Sequence, residues 1–128
     1  MKNSKIYRTV LSSLLFFLIG SGVFSQPQGD YLAVIGTADA VKKVVLFNFE
    51  DGTLAYDDFF DLTAYDVGTI KHVIRVGDEF WVSDQTKDVV HRLDIDGNLL
   101  GKIGESGGLD NLRGLQIIGD HVWLCNSG

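Results

Sequence analysis

The stretch "DEFWVSDQTKDVVHRLDIDGNLLGKIG" at residues 78–104 decides the fold, because its opening phrase returns as "DHVWLCNSG" at residues 120–128. Shifting the sequence by 42 positions lays residues 74–86 on residues 116–128, with Gly77 on Gly119, Asp78 on Asp120 and Trp81 on Trp123. A weaker copy, "GDYLAVIG" from Gly29, begins 48 positions before the middle one. Behind each of the first two copies stands an Asp-Gly pair, in "FEDGTL" (residues 49–54) and "DIDGNL" (residues 94–99). A period of this length marks an architecture in which each unit buries a face against the next.

The units are built of strands. "HVIRV", "EFWVS", "VVHRLDI" and "NLLGKI" are short, rich in β-branched and aromatic residues, and separated by Gly-Asp or Asp-Gly. Asp-Gly suits a tight hairpin in which both central residues take positive φ. After residue 25 no uninterrupted 11-residue window carries an apolar stripe at helical spacing, which argues against crossover helices. Four strands in 42 residues make one blade of a radial β array. The expected fold is therefore all-β, with antiparallel four-stranded blades. Residues 29–64 form a first blade without its inner strand, residues 70–104 a complete one, and residues 112–128 the start of a third.

"WVSDQTKDVVHRLDIDGNLLGKIG" (residues 81–104) resembles an NHL-type repeat, in which a strand ends in an acidic residue, here Asp84, before a loop, a further strand and Asp-Gly. The resemblance covers the middle unit well, the first moderately, and the start of the third. It implies a β-propeller related to six-bladed members such as the lactonase-like ones. The expected strand count of three, four and two describes an arc rather than a ring. It implies that the sequence belongs to a longer parent, the alternative being a partial propeller that self-assembles.

Residues 1–25 carry a separate signal. Lys2, Lys5 and Arg8 precede the apolar run "VLSSLLFFLIG" (residues 10–20), and Val23 and Ser25 stand where a signal peptidase reads. This is the three-part pattern of a secretory signal peptide, with cleavage expected between Ser25 and Gln26. The run is too short and too interrupted for a membrane span, which needs roughly 20 apolar residues. The domain proper is then 26–128, in a secreted or periplasmic protein. The leader holds three of the eleven basic residues and none of the seventeen acidic ones, so the remainder carries −9 against −6 overall. That charge disfavours nucleic acid and anionic membrane surfaces as partners. The single cysteine, Cys125, allows no internal disulfide and is expected to pack as a small hydrophobe.

Candidate functional residues follow from the repeat. Asp84 closes the second strand of the middle unit and Asn126 holds the equivalent place in the third. Lys71 and Arg113 are equivalent at the start of the innermost strands. In a propeller these positions share one face, so Lys71, Asp84, Gln85, Arg113 and Asn126 are expected around one mouth of the central channel. They would serve there as ligand contacts, or as a repeated polar clasp from cation to carboxylate or amide. The Asp94, Asp96, Asn98 alternation is not a calcium loop, since its sixth position is Leu99 where an EF-hand requires Gly. His72, His91 and His121 occupy three different repeat positions and form no metal or catalytic constellation. No cofactor and no metal are expected. The reading is a binding or interaction scaffold for a protein or small-molecule ligand. The alternative is a fragment of a lactonase-like or lyase-like propeller enzyme, although the Glu-Gly-Pro of lactonase-like members is absent.

Overall fold

The short β-branched and aromatic runs become nine strands among the described residues of this computed structural model, which are residues 31–36 and 42–128. The expected leader lies outside them. Strands β1 (Tyr31–Gly36), β2 (Lys43–Asn48) and β3 (Leu54–Asp61) form a three-stranded sheet. Strands β4 (Ile70–Val76), β5 (Glu79–Asp84), β6 (Val89–Leu93) and β7 (Leu99–Ile103) form a four-stranded one, and β8 (Leu112–Ile118) with β9 (His121–Asn126) a two-stranded one. Each sheet is an antiparallel meander in sequence order, and the described residues contain no helix. The described residues are all-β. The described residues hold no helix long and apolar enough to cross a membrane.

The strand register sorts side chains onto two faces of each sheet. In the second sheet Val73 pairs with Val82 and Phe80 with Leu93, and these four turn toward the first sheet. There they meet Val44, Leu46, Phe60 and Leu62 in one core, where Val44, Leu62, Val82 and Leu93 are fully buried. Phe80 stands edge-on to Phe59 and Phe60, at centroid distances of 5.6 and 5.0 Å. On its opposite face Ile74 pairs with Trp81, and these pack with Val90 and Ile103 against Leu112, Leu115 and Leu124 of the third unit. Each fully buried aliphatic side chain contributes about 1.5–3 kcal/mol. The sheets are thus joined by two successive face-to-face cores, and β1, β4 and β8 lie side by side.

The Asp-Gly hairpins differ in one respect from the expected two-residue turn. Only the glycines take positive φ, +69° at Gly52 and +84° at Gly97, while Asp51 and Asp96 do not. The turn begins earlier, with Gly97 N–H donating to Asp94 O (3.1 Å) and Asp94 N–H to Asn98 O (2.9 Å). In the second hairpin this is a type I turn closed by a glycine bulge, whereas in the first Gly52 N–H reaches back four residues to Asn48 O (2.9 Å). Asp94 causes the change, because its Oδ1 accepts from Asp96 N–H (2.9 Å) and Asn98 N–H (2.8 Å). The Asn98 side-chain bond, with backbone donors from Asn98 and Asp96, outweighs desolvation and holds the Asp94 carboxyl below its ordinary value. Asp94→Ala is expected to cost about 1 kcal/mol, and Asp96→Asn less than about 0.5 kcal/mol, by urea denaturation. Equal losses at the two positions would contradict this turn.

Candidate functional site

The strand ends at one side of the second and third sheets gather the polar residues of the repeat. The register pairs Ile70 with Asp84 and Leu112 with Asn126, so Lys71, Asp84, Gln85, Arg113 and Asn126 all lie at the same ends of their sheets. Their environments differ sharply.

Asp84 is fully buried. Its Oδ2 accepts from Gly68 N–H (2.5 Å) and lies 3.0 Å from His91 Nε2. Its Oδ1 accepts from Thr86 N–H (3.1 Å) and Lys87 N–H (3.2 Å). Burial alone would push this carboxyl up, but the bonds from His91, Gly68 and Lys87 outweigh it and hold Asp84 below its ordinary value. An ionised carboxylate only accepts, so Nε2 of His91 carries the proton. Nδ1 of His91 is buried without a partner among the described residues. The pair belongs to the frame: Val82 stands opposite His91 across β5 and β6, on the face that meets the first sheet.

The third unit repeats the central bond. Asn126 Oδ1 accepts from Asp110 N–H at 2.6 Å, and Asp110 is Gly68 shifted by 42 positions. Both acceptors therefore reach back 16 residues, tying the loop before β4 to the end of β5 and the loop before β8 to the end of β9. Neighbouring bonds reinforce the tie: Gln85 N–H donates to Thr69 O (2.8 Å), and Ser127 Oγ–H to Asn111 O (3.0 Å). Between the units, the Gln85 amide donates to Asn111 Oδ1 and Asn111 N–H to Asp88 Oδ1 (2.7 Å). Ser83 Oγ–H donates to Arg113 O at 3.1 Å.

Among the described residues neither Lys71 nor Arg113 forms the expected clasp to a carboxylate or amide. Lys71 is exposed and takes no ion pair or hydrogen bond among the described residues, and Arg113 bonds only Ser127 Oγ (3.2 Å) through its side chain. Backbone amides do the clasping, because they lie within reach of the strand ends and lose less conformational freedom than a long basic side chain. His72, on β4, accepts Leu115 N–H at Nδ1 (2.9 Å) and so joins β4 to β8. Cys125 is exposed rather than packed, since the register puts it on the outward face of the third sheet, at the place of buried Ser83. Sequence reasoning missed Gly68, His91, Asp110 and Asn111. The repeated acceptor at the end of the second strand was the available signal for the loop donors.

A third cluster, Glu79, Trp81 and Arg92, stands on the face toward the third sheet. Arg92 donates to both Glu79 oxygens (2.8 and 2.5 Å), Trp81 Nε1–H donates to Oε2 (2.8 Å), and the guanidinium lies 5.9 Å from the Trp81 ring centroid. The Arg92 and Trp81 bonds hold Glu79 down to about 2. Among the described residues no group of three or more His, Cys, Asp or Glu is placed to hold a metal ion. Comparison with protein-family models, curated proteins and solved structures gives no match.

Proposed function

We propose that the three sheets are blades of a β-propeller and that the exported protein acts as a binding scaffold, using the loop end that carries Lys71 and Arg113. One observation carries this reading. At that end every carboxylate and amide of the repeated set is engaged in holding loops, by the same bond in two units, while the two equivalent cations stay exposed. A rigid frame that leaves a few side chains projecting is the arrangement of a recognition surface. Catalysis needs a base or nucleophile within reach of a substrate, and Asp84 and His91 are fully buried. Within the repeated set the exposed charges are the cations Lys71 and Arg113, in a chain otherwise acidic, so the fitting ligand carries carboxylates or a comparable anion. The leader pattern of residues 1–25 supports export.

The test is an amide-resolved NMR titration of the protein recovered from a secreting host, with citrate as carboxylate probe and spermidine as cationic control. Citrate is expected to shift signals of residues 68–71 and 110–114 and spermidine to leave them unmoved, with an N-terminus at Gln26. Lys71→Ala with Arg113→Ala should abolish the citrate shifts without changing the melting temperature. Shifts confined to other residues would reject this end as the binding surface. Turnover of a lactone would favour the enzymatic alternative, and Met1 retained on exported protein would reject cleavage.

A further inference from the structure

One cross-strand pair of the second sheet grips the backbone of the third. His72 on β4 stands opposite Ser83 on β5. Ser83 Oγ–H donates to Arg113 O at 3.1 Å, and His72 Nδ1 accepts from Leu115 N–H at 2.9 Å. Among the described residues β8 pairs with β9 alone. These two side chains, rather than another strand, therefore take up an acceptor and a donor of its other edge. The pair holds β8 at two points, through bonds of opposite sense.

The two points answer differently to a proton. A backbone N–H only donates, so Nδ1 of His72 holds a lone pair and Nε2 carries the hydrogen. Imidazole is the side chain whose ordinary titration falls between about pH 5 and 8, whereas a serine hydroxyl does not titrate there. Protonation puts a hydrogen on Nδ1 facing Leu115 N–H, and two donors cannot bond. His72 is exposed, so the charged ring can turn to water. His91 of the same sheet is fully buried and bonded to the Asp84 carboxylate. Around the His72 ring stand Lys71 on its own strand, Arg113 on β8 and, across Gly114, the Cys125 thiol on β9. On β5, Asp84 turns to His91 on the opposite face, and Glu79 at the far end is taken by Arg92 and Trp81. No carboxylate of these strands is thus placed to replace Leu115 as partner of a charged His72.

We infer that His72 and Ser83 form a proton-sensitive clamp on β8. With His72 neutral the clamp holds Arg113 O and Leu115 N–H; with His72 protonated it holds Arg113 O alone. The apolar core around Leu112 and Leu115 and the bonds of Asn111 to Gln85 and Asp88 persist. Mild acid therefore loosens β8 locally, at Leu115, and does not unfold the sheets. Gly114 takes the place of His72 in the third unit, so the device belongs to the junction of the second and third sheets. The inference uses only bonds between described residues and stands apart from the ligand proposed above.

The test follows the exported chain by amide-resolved NMR from about pH 8 to about pH 5. It reads the Leu115 amide shift and its protection against hydrogen exchange beside the His72 ring signals. In wild type the Leu115 shift is expected to move with the midpoint of His72. Its protection should fall roughly 2- to 10-fold, the loss of one ordinary hydrogen bond. Gly114 N–H, in the same peptide group as the carbonyl that Ser83 holds, should move less. His72→Asn keeps an oxygen near the place of Nδ1 but does not titrate, so Leu115 should stay protected at every pH. His72→Phe should leave Leu115 unprotected at every pH. His72 is exposed, so both variants retain the fold, checked by melting temperature. His121→Gln, at the far end of the β8–β9 hairpin, should leave the wild-type profile intact. A Leu115 amide that ignores the titration of His72 would overturn the inference. So would a His72 ring that stays neutral down to about pH 5, or a pH profile that survives in His72→Asn.

Discussion

Asp84→Ala is expected to destabilise the protein by about 3–5 kcal/mol, because it leaves several buried donors without an acceptor at about 1–3 kcal/mol each. The loss exceeds that of a surface acid because four donors converge on this carboxylate: three backbone N–H groups, of Gly68, Thr86 and Lys87, and His91 Nε2. Alanine leaves all four without an acceptor, and His91 already lacks a partner at Nδ1. Small domains are stable by about 5–15 kcal/mol in total, so the variant should unfold at a much lower urea concentration with an unchanged slope. Asp84→Asn separates shape from charge. Its amide oxygen still accepts, as Asn126 does from Asp110 N–H, but its NH₂ faces donors. An intermediate loss of about 1–3 kcal/mol is expected. A loss under about 1 kcal/mol for alanine would show that the carboxylate does not hold the loops.

The same site sets a direction for acid sensitivity. Asp84 titrates below its ordinary value in the folded protein, so its bonds contribute stability that is fully present above the unfolded value, about 3.9. That contribution is lost as pH falls through the lower folded value. Glu79, held down to about 2, acts in the same direction. The melting temperature should therefore fall progressively below about pH 4. Asp84→Asn should flatten that fall, and an equally steep fall in the variant would assign acid sensitivity to other carboxyls.

The strands were legible in the sequence because β-branched and aromatic runs and the turn residues that bound them are local signals. The 42-residue shift, with Trp81 on Trp123, also told which strands are equivalent, and the sheets of three, four and two strands follow that equivalence. What depends on reach in space was not legible. Asp84 and Asn126 stood out as repeated polar strand ends, but nothing local says that their partners are amides 16 residues upstream rather than Lys71 and Arg113. His91 shows the same limit. Its place opposite Val82 puts it on the face toward the first sheet, a consequence of register that its neighbours Val90 and Arg92 do not reveal. Cys125 failed for the opposite reason: an apolar local sequence says nothing of whether a second sheet covers that face. Exposure at Cys125 and Trp123 is a property of the face, and the face is set by what stacks upon it.

Gly97→Val is expected to cost about 2–5 kcal/mol, from two separable causes. Positive φ costs roughly 1–2 kcal/mol for a residue with a Cβ and is least tolerated by β-branched side chains. Gly97 sits at φ +84°, and a Cβ there would lie 2.5 Å from Phe60 Cδ1 and 3.0 Å from Cε1. Phe60 has little room to yield, being buried and held by Phe59 and Phe80 at centroid distances of 4.2 and 5.0 Å. Overpacking of this kind adds about 1–3 kcal/mol. The equivalent turn supplies the control. Gly52 has φ +69° with nothing within 4 Å of its would-be Cβ, so Gly52→Val should show the backbone cost alone, about 1–2 kcal/mol. The hydrogen bond from Tyr65 O–H to Gly97 O (2.9 Å) ties this turn to the loop after β3, so a displaced turn should also perturb the Tyr65 signal. The decisive variant is Gly97→Ala combined with Phe60→Leu. If the ring is the obstacle, the double variant loses less than the sum of the two single losses, because leucine opens the space that the new methyl needs. Strict additivity, with equal losses for valine at Gly52 and at Gly97, would assign the whole effect to φ and remove Phe60 from the account.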